Sequence, residues 1–287
     1  MRRLLSLLLM LPMLAVADAS VWKVSKNGQH LYLAGTMHVL KAEDYPLPRE
    51  YDMAYKDAGI LVFEADLAAL SGAEFQQTVM SKTLYPDGQS LASLLQADVL
   101  EQLKAYSVSR NIPLAQLLQM KAGLLSVTIS MAELNRYGVT QDGVDSVYYQ
   151  RAKKDGKPVM GLESAEQQVN FIANMGKGHE SELIKQTLAE VDELPEMIDQ
   201  MRDVWRKGSI TGLENLMVKP MREDYPDVYI ELLAQRNVNW LPYLEAMMQT
   251  KEVEMVLVGA AHMAGEHGLH RLLKAHGYRI EPVKSPY

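Results

Sequence analysis

The chain has 287 residues, 48% of them hydrophobic and 23% charged, a globular composition with enough apolar mass for a substantial core. A formal net charge of −7 argues against nucleic acid or an anionic membrane face as partner, leaving small molecules, peptides and other proteins. The absence of cysteine excludes disulfides, a lipoprotein attachment site and a thiol nucleophile.

The first stretch, "MRRLLSLLLMLPMLAVADAS", reads as a secretory signal over residues 1–19. Arg2 and Arg3 form its basic region and Leu4 to Leu14 its apolar core. Ala15-Val16-Ala17 and Ala17-Asp18-Ala19 both suit a signal peptidase. The expectation is a periplasmic protein, with residues 20–287 as a single domain cut free after Ala17 or Ala19. No later apolar run approaches membrane-spanning length, so no stable membrane insertion is expected after cleavage.

"VWKVSKNGQHLYLAG" gives two strands about Asn27-Gly28, a two-residue hairpin turn. "GILVFEAD" (59–66) is a short buried strand that reaches Glu64. Helical spacing covers 71–110, with Pro86-Asp87-Gly88 as a break. A single helix is expected from Pro113 to Gly138. A helix over 141–156 precedes the strand "KPVMGLE", and residues 164–250 read as helix throughout. "EVEMVLVGAAH" (252–262) is the most apolar strand after the signal, followed by a helix ending near Gly277 and a short strand. The fold class is therefore α/β or α+β. Its central sheet is built from strands at both chain ends and one central segment, with a large helical insertion.

"YLAGTMH" and "LVGAAH" both end a strand in Gly-x-x-His, at His38 and His262. A side chain just past the carboxyl end of a strand in an open α/β sheet lies where ligands bind. If the two strands are neighbours, both imidazoles reach one crevice; a hydrogen-bonded structural histidine is the competing reading. Glu64 and Glu163 also end strands, where a carboxylate is costly unless paired, hydrogen-bonded or on a metal. For Glu163 a helix-capping role is an equal alternative. Two imidazoles and a carboxylate are donors that borderline divalent metals take. His267 and His270 lie on the last helix, with Gly265 interrupting any helical metal motif. No Gly-x-Ser-x-Gly elbow is present.

Taken in order, "GTMH", Glu64, "GVDSVYYQRAKKDGKPVMGLESAEQQ", "RNVNW" and "VLVGAAHMAGEHGLHRLLKAHGY" resemble the TraB/GumN family, which includes the TIKI metalloproteases of animals. The resemblance runs from about Val21 to Val283 and implies an EreA/ChaN-like fold, shared with erythromycin-esterase-like enzymes and haem binders. It implies a metal-dependent hydrolase of the peptidase type, with manganese, cobalt or zinc held by His38, His262 and Glu64. Glu64, Glu163 and Arg236 are the catalytic candidates: Glu163 as supporting group or proton carrier, Arg236 on an oxyanion or in a structural salt bridge. Gly143, Asp145, Gln168 and Asn237 match further family positions. The implied partner is a peptide or small-molecule substrate. Two rival readings are a non-catalytic haem, metal or peptide binder and an accessory factor in surface-polysaccharide production.

Overall fold

A computed structural model describes residues 19–69, 72–140 and 142–285. The signal segment read at 1–19 lies outside them but for Ala19, which is buried.

Six strands form one mixed sheet: β1 (Val21–Lys26), β2 (Gln29–Thr36), β3 (Ile60–Ala65), β4 (Val159–Glu163), β5 (Glu254–Gly259) and β6 (Arg279–Pro282). Their order is β4-β3-β5-β2-β1-β6. β1 and β2 are the expected hairpin, with Asn27 and Gly28 both at positive φ as the turn requires. β2, β5, β3 and β4 run parallel, so their carboxyl ends share one edge. Met255 to Val258 of β5 are all buried, because helices cover both faces of the parallel strands.

The helices before β4 are α1 (Arg49–Asp57), α2 (Ala73–Thr83), α3 (Ala97–Arg110), α4 (Leu114–Gln119), α5 (Ala122–Arg136) and α6 (Val144–Asp155). After it come α7 (Ala165–Asn174), α8 (Glu180–Glu190), α9 (Leu194–Arg206), α10 (Ile210–Leu213), α11 (Lys219–Asp224), α12 (Pro226–Tyr229), α13 (Gln235–Met247) and α14 (Leu269–Ala275). Wider π turns at Glu214–Val218 and Ile230–Ala234 interrupt the long helical run.

The single helix expected from Pro113 to Gly138 is two. Met120 is extended and pairs with Leu84, while Lys121 donates its N–H to the Thr83 carbonyl at 2.8 Å. A tertiary contact thus overrides local helical preference.

One sheet face packs Ala34, Phe63 and Leu257 against Tyr51, Tyr148 and Trp205 of α1, α6 and α9. The other packs Leu33, Val62 and Val256 against Trp240, Leu244 and Leu273 of α13 and α14. A third cluster, including Leu103, Leu117, Leu125 and Ile184, belongs to α3, α4, α5 and α8.

Candidate functional site

β2 and β5 are direct neighbours, with Gly35 opposite Val258 and Thr36 opposite Gly259. The two Gly-x-x-His turns therefore leave the sheet side by side, one place out of step. Gly259 is where they meet. A Cβ added there would lie 3.2 Å from Glu64 Oε1, 3.6 Å from His262 Cδ2 and 3.9 Å from His38 Nε2. Glycine at this point lets three polar side chains from three strand ends approach one place.

Glu64, last but one in β3, has both oxygens engaged. Oε1 accepts the Gly259 N–H at 2.6 Å, and Oε2 accepts from Arg236 Nη2 at 2.6 Å. Burial alone would push its carboxyl up. The charges of His262, Arg236 and His38, with the Gly259 amide, outweigh burial and lower it to about 2; of these Arg236 is charged at every working pH.

His262 is buried, and its tautomer follows from Asn237. The Asn237 amide nitrogen donates to the carbonyls of His262 (3.1 Å) and His267 (2.8 Å), which leaves its oxygen to accept from His262 Nδ1 at 2.7 Å. The proton therefore sits on Nδ1, and the Nε2 lone pair faces Arg236 Nη1 at 3.2 Å and Glu64 Oε1 at 3.8 Å. Burial, with help from Arg236, pushes this imidazole down to about 3, so it is neutral.

His38 differs in environment: its side chain is 63% exposed, and Nδ1 stands 3.2 Å from Asp145 Oδ2. Desolvation on the pocket floor works against its charge, but Asp145, with Glu64 behind it, raises its pKa above the usual imidazole value. Asp145 is delivered by the first turn of α6, whose Val144 N–H bonds the Met37 carbonyl at 3.0 Å. A side chain at Gly143 would collide with the His38 carbonyl. That close approach is a physical reason for Gly-x-Asp at 143–145.

Arg236 joins the remaining parts. Nε and Nη2 fork onto Glu163 at 2.8 and 3.0 Å, Nη2 also reaches Glu64, and Nη1 donates to Leu232 O and His262 Nε2 at 3.2 Å each. All five guanidinium N–H groups are thereby engaged. Trp240, one helical turn on, lies 4.8 Å beneath the guanidinium and donates Nε1–H to Glu163 at 2.9 Å. Glu163 does not cap α7; Ser164 does, with Gln167 completing the box. Trp240 closes the "RNVNW" stretch, and the sequence alone gave it no role, although its spacing of four from Arg236 puts both on one helix face.

His38, Glu64, Asp145, Glu163 and Arg236 line a cavity of about 750 Å³. Gln168 also lines it, and Val127, Phe171, Ile172, Met175 and Ile230 give it an apolar wall. His267 instead pairs with Tyr229 at 2.9 Å. His270 packs edge-on against Trp22 in the other core.

The residues gathered here include the donor types of a divalent-ion site. The side chains of His38, Glu64 and His262 gather over Gly259, although His262 turns its Cδ2 edge to that point and its Nε2 lone pair to Arg236. As placed, however, no three His, Asp or Glu side chains among the described residues are close enough together to hold an ion. Arg236 bridges Glu64, Glu163 and His262 instead.

No solved structure matches the chain. Two proteins named "Uncharacterized protein YbaP", from Escherichia coli (strain K12) and Shigella flexneri, are each 25% identical to it over 250 residues. Those residues are 86% of this chain and 89% of theirs. The model of the TraB/PrgY/gumN family matches residues 20–282, and the chain belongs to that family.

Proposed function

We propose that the cavity at the carboxyl edge of the parallel strands is a hydrolytic centre acting on peptides. In this reading His38, Glu64 and His262 hold a divalent ion such as manganese, cobalt or zinc. The observation that carries the reading is the convergence of these three side chains over Gly259, under an apolar wall. A bound ion would supply Lewis acidity, polarising a carbonyl and acidifying water at neutral pH.

The protein's own groups have separate tasks. Asn237 fixes the His262 tautomer and so puts the lone pair on Nε2, where Arg236 Nη1 would have to give it up to an ion. Asp145 orients His38. Arg236 holds Glu64 and Glu163 in place. To stabilise an oxyanion it would have to exchange one of its five bonds for the substrate. Glu163 accepts three hydrogen bonds, from Arg236 twice and from Trp240, so its task here is to position Arg236. Export to the periplasm through residues 1–19 is part of the same reading.

A second reading, a binding protein without turnover, is favoured by the saturated Arg236 in the middle of the site. One experiment separates the two. Mature protein is loaded with Mn²⁺, Co²⁺ or Zn²⁺, assayed for metal content and incubated with a mixed peptide library, beside a folded His38→Ala/His262→Ala variant. Near-stoichiometric metal and peptide cleavage, both lost in the variant, are expected. Metal retained without cleavage supports the binder, and no metal in either protein rejects the metal site.

A further inference from the structure

The two edges of the sheet are built differently. β6, at one edge, carries Arg279, Glu281 and Pro282, the charges and proline that discourage pairing with another chain. β4, at the other edge, reads Val159-Met160-Gly161-Leu162-Glu163 and has no such guard until its last residue. Lys157 beside it is turned inward, donating to the Tyr55 and Ala58 carbonyls.

The phase of the β4 ladder follows from one bond. The Leu61 N–H donates to the Pro158 carbonyl at 3.0 Å, so Pro158, Met160 and Leu162 face β3. By the alternation of a parallel ladder, Val159, Gly161 and Glu163 turn their N–H and C=O groups outward. Among the described residues no strand pairs with that side.

A cleft of about 680 Å³ runs beside this edge, between Gly161–Ser164 and the α13 residues Val238, Trp240 and Tyr243. Glu163, Gln167 and Asn239 border both the cleft and the catalytic cavity, so the two spaces adjoin at Glu163. Met160, Val238 and Tyr243 are 51%, 45% and 58% exposed, an apolar margin along a polar backbone track.

We infer that β4 is the docking strand for an extended peptide, which adds to the sheet edge and runs past Glu163 into the catalytic cavity. The inference rests on the peptide-hydrolase reading and supplies its substrate geometry. Backbone pairing over three outward residues holds a segment of roughly 17 Å whatever its sequence. Selectivity then comes from alternate side chains meeting Met160, Val238 and Tyr243. An unguarded edge is an aggregation hazard, and one whose end lies at the site is explained by a need to pair there.

The probe is a fluorescein-labelled decapeptide of alternating threonine and valine with lysine ends, and a second copy N-methylated at alternate residues. Both are titrated by fluorescence anisotropy into the mature protein, a Met160→Lys/Val238→Lys variant and a Glu64→Gln variant, each checked for folding. The plain peptide should bind the mature protein and the Glu64→Gln variant alike. N-methylation, or the two lysines, should weaken binding at least tenfold. Equal affinity for both peptides, or no loss in the lysine variant, would overturn the inference. So would a dimer of the mature protein that the lysine variant converts to monomer without peptide binding, since the edge would then belong to a second copy. Binding without cleavage in the presence of Mn²⁺ would reject the hydrolase reading and leave the docking strand standing.

Discussion

At the scale of single residues, Arg236 decides more than either histidine. It is 16% exposed and its fork satisfies Glu163, while one more N–H holds Glu64. Remove the guanidinium and two nearly buried carboxylates lose their counter-charge together. Breaking one side of a buried ion pair costs about 3–5 kcal/mol. Arg236→Met should therefore lower unfolding stability at neutral pH by about that amount in urea titrations. Arg236→Lys, which keeps charge but not the fork, should fall between it and the parent. A methionine variant as stable as the parent would show that the carboxylates are held by something else. Arg236 could be suspected from sequence only as one half of an Arg-Asn pair. Its five bonds join a strand end at 64, another at 163 and a turn at 262, and no local pattern contains those distances.

At the scale of elements, α14 carries a titratable group that is separate from the site. His270 is buried on the helix face against Trp22, its Nε2 without a hydrogen-bond partner among the described residues. Burial, and secondarily Lys274 one turn on, lowers its pKa from 6.5 to about 3. The folded chain thus keeps the imidazole neutral where the unfolded chain protonates it. The stability tied to this group is full above about pH 6.5 and is lost as pH falls from there towards 3. Between pH 7 and pH 5 the loss should be about 2 kcal/mol. Comparing the pH dependence of urea midpoints in the parent and in His270→Phe measures it. Equal slopes in the two proteins would mean that the ring is solvated. The elements themselves were largely legible. The Asn27-Gly28 turn, the strand ending at Glu64 and the apolar run through Val258 each announce themselves by turn chemistry or period. The break at Met120 did not, because a bridge to Leu84 and the Thr83 carbonyl causes it, and both lie more than thirty positions away.

At the scale of the whole molecule, the sheet and the helical insertion have separate interiors. Both sheet faces are closed by helices whose apolar residues meet β2, β3 and β5, whereas α3, α4, α5 and α8 pack largely on one another. The placement of strands at the chain ends foretold such an insertion, but not that its α5 and the adjoining α7 would wall the cavity through Val127, Phe171 and Ile172. That wall depends on long-range packing. Its consequence is a difference in local stability: the strands bearing His38, Glu64 and His262 need not share the fate of the wall above them. Leu125 is fully buried in the third cluster, and truncating such a leucine costs about 2–5 kcal/mol. Hydrogen exchange of Leu125→Ala should show faster exchange across α3, α5 and α8, with β2, β3 and β5 as protected as in the parent. Uniform loss of protection over both parts would instead mean that sheet and insertion unfold as one unit. The wall could not then open while the strand edge below it stays formed, and any ligand would have to enter through the standing mouth of the cavity.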